Sequence, residues 1–117
     1  MLRFPTKRCA LFWLVALATA QFATAHQLSV FAWVEGDSVL VEATLPKGKH
    51  PKMGAVQVYD GEDRLLLKTE LGPNGKASFP LENWETGLRI VVDIGHGHQS
   101  YWILTPYDIQ QQRQETQ

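Results

Sequence analysis

The sequence predicts an all-β protein, a seven-stranded antiparallel β-sandwich, on three observations. Apolar and polar residues alternate with period two through seven short segments, the spacing that sends every second side chain of a strand to one face. Turn-forming Gly, Asp, Asn and Pro residues separate those segments at near-regular intervals. After residue 25 no stretch carries the three-to-four-residue apolar period of an amphipathic helix.

The first 25 of the 117 residues stand apart. Arg3, Lys7 and Arg8 form a positive start, Cys9 to Ala20 an apolar run, and Ala23-Thr24-Ala25 a small-x-small cleavage site. This is the pattern of a secretory signal peptide, and the apolar run is shorter than the roughly 20 residues a membrane-crossing helix needs. The expectation is a signal over residues 1–25, a sandwich over 26–106, a polar tail over 107–117 that is a frayed end or a short helix outside the core, and a periplasmic or extracellular location. Cleavage after Ala25 makes His26 the first residue, with a free α-amine beside its imidazole.

The first strand follows at once, with Leu28, Val30, Ala32 and Val34 on one face and Ser29, Phe31 and Trp33 on the other. Gly36-Asp37 turns into a second strand whose Val39, Val41, Ala43 and Leu45 point inward. Pro46 to Gly54, rich in Lys, Pro and Gly, is a loop. Ala55–Tyr59 and Arg64–Leu71 are strands around the Asp60-Gly61-Glu62-Asp63 turn, which lacks the ligand spacing of a calcium loop. Gly72-Pro73-Asn74-Gly75 leads into a short strand, Lys76–Leu81. After a loop containing Trp84 come Leu88–Ile94, Gly95-His96-Gly97-His98, and Gln99–Leu104, which Pro106 ends.

Charge and cysteine content bound the function. Without residues 1–25 the chain keeps eight basic and twelve acidic residues, formally −4, which argues against nucleic-acid binding. The one cysteine, Cys9, leaves with the signal, so stability falls to the apolar core of a domain of roughly 90 residues, about 60% of whose unfolded surface can be buried. No nucleophile–base arrangement or Gly-rich phosphate loop is visible, so a catalytic function is not expected.

Strand direction yields the candidate site. If seven strands alternate up and down, the start of the first lies at the same end as His50, His96 and His98, and acidic residues collect at the other end. The amine and Nδ1 of His26 close a chelate ring that His96 or His98 extends to a third nitrogen, a set suited to Ni(II), Co(II), Cu(II) or Zn(II). Lys47, Lys49, Lys52 and Lys76 share that end and repel a cation unless screened. The Gly residues beside His96 and His98 serve either a ligand wrap or a tight turn. Phe31 and Trp33 either lie under a neighbouring strand or the tail, or form an exposed aromatic face that docks a partner.

Several stretches resemble a known family: Ala25-His26, Leu28-Ser-Val-Phe-Ala-Trp-Val-Glu-Gly36, Val56-Gln-Val-Tyr-Asp60, Leu65-Leu-Leu67, Asn74-Gly75, and Val91-Val-Asp-Ile-Gly-His-Gly-His98. Together they are similar to the small extracytoplasmic subunits of energy-coupling-factor-type nickel and cobalt uptake transporters. The middle, from Pro51 to Phe79, also resembles a carboxypeptidase-regulatory, transthyretin-like β-sandwich, which fits a transthyretin/immunoglobulin-like fold. The resemblance implies an exported accessory protein of a nickel or cobalt transporter, with its membrane component and a divalent metal ion as partners. It marks His26 and His98, through Asp93-x-Gly-x-Gly-His98, as metal ligands, with His96 added beside them. Some relatives continue into a membrane helix, whereas this chain closes on polar residues, so a soluble partner is expected. The alternatives are a periplasmic copper-binding protein and a metal-free, transthyretin-like interaction module using Phe31 and Trp33.

Overall fold

The two-residue turn Gly36-Asp37 joins β1 (Ser29–Glu35) to β2 (Ser38–Thr44), with Glu35 opposite Ser38 and Gly36 at a φ of 59°. The computed structural model describes residues 27–116, so the segment 1–25, expected to be a signal, and His26 lie outside the described residues. Strands β3 (Ala55–Asp60), β4 (Leu65–Glu70), β5 (Lys76–Pro80), β6 (Leu88–Asp93) and β7 (Gln99–Leu104) complete the seven, all paired antiparallel. Their boundaries agree with the periodicity to within two residues.

They form two sheets, β1-β2-β5 and β4-β3-β6-β7. An immunoglobulin constant domain keeps its fourth strand with the first, second and fifth; here β4 pairs with β3 in the other sheet. The facing surfaces carry the alternating apolar residues: Val30, Ala32 and Val34 of β1, Val39 and Val41 of β2, Val56 and Val58 of β3, Ile90 and Val92 of β6, all buried. Each such Val or Ile stabilises the fold by about 1.5–3 kcal/mol relative to exposure.

The C-terminal segment takes the short helix that was one of the two forms expected for it, but it joins the core instead of standing outside it. Pro106–Glu115 is a helix, α1, which packs on β1 and β7, and its Ile109 is fully buried in the core. Thr105 caps it: its hydroxyl accepts from the Asp108 N–H while the Asp108 carboxylate accepts from the Thr105 N–H, and Pro106 presets the first turn. The helix also covers the free edge of β1. Val34 N–H donates to Gln112 Oε1 at 2.7 Å, and Gly36 N–H to Thr116 Oγ1 at 2.8 Å. These edge amides are thereby satisfied, and the edge cannot pair with another chain there. Among the described residues no helix is long and apolar enough to cross a membrane.

Candidate functional site

Strand register assembles one end of the sandwich. Ser29 lies opposite Thr44, Glu42 opposite Lys76, Ala55 opposite both Glu70 and Asp93, and Asp93 opposite Gln99. The start of β1, the β2–β3 loop, the β4–β5 turn and the β6–β7 hairpin therefore share an end. His50, His96 and His98 are all there and all exposed.

The β6–β7 hairpin presents two of them. His98 N–H donates to the Gly95 carbonyl at 3.0 Å, and both central residues have positive φ, His96 at 56° and Gly97 at 78°. That is the type I′ pattern, whose twist suits a hairpin. The Asp93 carboxylate accepts from the Gly95 N–H at 2.8 Å and fixes the approach to the turn. Gly97 is therefore required by the turn itself, while His96 occupies a left-handed position at a cost of about 1 kcal/mol.

His50 is held differently. Its Nδ1–H donates to the Ala43 carbonyl at 3.2 Å. A carbonyl only accepts, so Nδ1 carries the proton and Nε2 keeps its lone pair outward, the tautomer that backbone-anchored metal ligands use. A Cβ on Gly75 would meet His50 Cβ at 3.1 Å, which seats His50 on the β5 side of this end, away from the β6–β7 hairpin. Among the described residues no three His, Cys, Asp or Glu side chains come together as a metal-holding group. His96 and His98 fit a nitrogen-donor set only with a further ligand, and His26, the ligand the sequence points to, lies outside the described residues.

The aromatic candidates lie on the outer face of β1. Phe31 is 49% exposed and stacks on half-buried Trp33, with centroids 5.1 Å apart. Trp102 of β7 meets Phe31 edge-on at 5.0 Å. Trp33 Nε1–H is satisfied by Glu35 Oε1 at 3.2 Å. Among the described residues neither a strand nor α1 hides Phe31. Trp102 was not visible as part of this group, because it belongs to the other sheet and reaches Phe31 only because β1 and β7 run side by side. The signal present in the sequence was Tyr101-Trp102-Ile103, three large apolar residues in a row where an inward face needs only alternate ones.

The opposite end is acidic and organised by Asp60. Its Oδ1 accepts from the Glu62 and Arg64 amides at 2.8 and 2.9 Å, and its Oδ2 from Arg64 Nε at 2.9 Å. The Arg64 amide above all, with the Glu62 amide and the Arg64 guanidinium, holds this carboxyl below the usual aspartate range. Burial opposes that shift without reversing it. The segment is a hairpin turn, with Asp63 N–H donating to the Asp60 carbonyl at 3.1 Å. An open cavity of about 430 Å³ between this turn and the β5–β6 loop is lined by Asp60, Arg64, Asn83, Glu85 and Thr86. The Asp60 carboxylate is used up by its amide and guanidinium donors, so its role there is structural.

No protein-family model matches the chain, and it matches no curated protein and no solved structure.

Proposed function

We propose that this protein is an exported accessory component of a nickel or cobalt uptake transporter. In this reading it works outside the cytoplasmic membrane and presents a divalent metal ion to the transporter's membrane component. The mature N-terminal His26 is the primary ligand, with His98 and then His96 completing a nitrogen face. What supports the reading is the Ala25-His26 junction together with Asp93-x-Gly-x-Gly-His98, and the observation that carries it is the exposed pair His96 and His98 on a hydrogen-bonded hairpin turn at the end where β1 begins. Metal displaces protons from an amine of reference pKa about 7.7–8.0 and an imidazole of about 6.5, so affinity falls below about pH 6.

Titration calorimetry of the processed chain with Ni(II) and Co(II) tests this. Acetylating the α-amine is expected to weaken binding at least about tenfold, a loss of about 1.4 kcal/mol. Equal, millimolar-weak binding by both forms refutes it. A periplasmic copper-binding protein is the nearest alternative. Cu(II) binds almost any nitrogen site more tightly, so the ligand set rather than affinity separates the two.

A second reading has its own support in Phe31, Trp33 and Trp102. An exposed aromatic cluster of this kind suits the core of a protein interface. In this version the chain is a metal-free interaction module. Retention of partner binding by the His98→Ala variant and its loss in Phe31→Ala would favour that reading.

A further inference from the structure

We propose that the β2–β3 loop is a docking surface for an anionic lipid bilayer, with Lys47, Lys49 and Lys52 on the headgroup phosphates and Met53 in the interface. The loop reads Pro-Lys-Gly-Lys-His-Pro-Lys-Met, and its three lysines are exposed. Met53 is 74% exposed, an unusual state for a side chain of its apolarity. Ion pairs among the described residues are made by Arg64, Arg89 and Arg113, and none of them uses these lysines. Lys76, at the same end, lies across from Glu42, and Glu70 and Asp93 also stand there, so this end holds four lysines against three carboxylates, with three of the lysines in the one loop.

The loop is preformed. Leu45 N–H donates to the Lys49 carbonyl at 2.7 Å, His50 is tied to Ala43, and Pro51 is buried against the β4–β5 turn. A charged loop that is already ordered loses little conformational entropy on docking. Its place at one tip lets the sandwich approach a plane end-on.

The formal charge of −4 does not oppose this. Asp37, Glu62, Asp63, Glu82 and Glu85 lie in turns at the far end, and a strand of seven residues separates the ends by about 20 Å. That is more than two Debye lengths of about 8 Å at physiological salt, so an anionic surface meeting the loop feels the four lysines and the three near carboxylates, Glu42, Glu70 and Asp93, and not the remote acids. A partner of nucleic-acid type would need a longer basic track. The docking is independent of metal, so it stands or falls separately from the ligand set above.

The test is co-sedimentation of the export-processed chain with vesicles of phosphatidylcholine alone and with about 30% phosphatidylglycerol, in metal-free buffer. Binding is expected only with the anionic lipid, and it should fade as salt is raised. Lys47→Glu/Lys49→Glu/Lys52→Glu should lower partition about 100-fold, roughly fivefold per lysine. Met53→Ser should lower it severalfold, while Lys68→Glu on β4 should leave it within about twofold. Circular dichroism checks that the triple variant is folded; if it is not, the Lys→Gln triple and the salt series carry the same comparison. Equal binding to neutral vesicles, or binding that survives the triple change, overturns the proposal. So does self-association without vesicles that the triple change abolishes, since the lysine end would then be meeting the acidic end of a second copy.

Discussion

Replacing Ile109 with Ala tests whether α1 belongs to the core. The helix is ten residues long, and Ile109 is its one buried side chain. A helix of that length is marginal alone in water, so its stability comes from what it packs against. Ile109 is fully buried, and truncating a buried Ile to Ala costs about 2–5 kcal/mol through lost transfer energy and the cavity left behind. For a domain of this size 1 kcal/mol moves Tm by about 4–8 °C, so 3 kcal/mol predicts a fall of roughly 12–24 °C. The loss should be local as well as global. With the helix loosened, the Val34 and Gly36 amides lose Gln112 and Thr116 as acceptors, so their hydrogen exchange should quicken more than that of β3 or β6. Urea unfolding and amide exchange of the same variant measure both. A loss under about 1 kcal/mol with Val34 still protected would refute the reasoning, leaving the helix a decoration on a sandwich complete without it.

The other predictions are shorter. Asp60 has a lowered pKa, so its stabilisation is complete above the unfolded value of about 3.9 and is lost as pH falls through the folded value. Asp60→Asn should therefore lower stability at neutral pH and flatten the acid limb of a pH–stability curve. Gly61→Ala should destabilise by about 1–3 kcal/mol, because a Cβ there would overlap the Thr86 carbonyl across the β5–β6 loop; urea midpoints read it. His96→Asn should raise stability by up to about 1 kcal/mol, since Asn tolerates the left-handed position better, while weakening Ni(II) binding in calorimetry if His96 is a ligand.

The strands were legible because period-two alternation is a local property that burial on one face imposes directly. Leu28 to Val34 and Leu88 to Val92 show it most clearly; their inner residues are buried, and in the second stretch Val91 of the opposite face is buried as well. The helix was less legible. It buries one apolar residue, too few to produce a period, although Thr105-Pro106-Tyr107-Asp108 already spelled a capping box with proline in the first turn. Of the candidate site, the hairpin bearing His96 and His98 was readable from its glycines. The anchoring of His50 on Ala43 was not, since it depends on where the β2–β3 loop settles against the β4–β5 turn.

By itself the sequence determined seven strands, their inward faces, the turns between them and the end to which each loop belongs, because each follows from neighbours a few residues apart. Only the tertiary structure decided that β4 joins β3, that α1 closes the β1 edge, and that Trp102 completes the Phe31–Trp33 cluster. Those outcomes rest on contacts between residues far apart in the chain, where the free energy depends on how two surfaces fit and not on the pattern either surface carries alone.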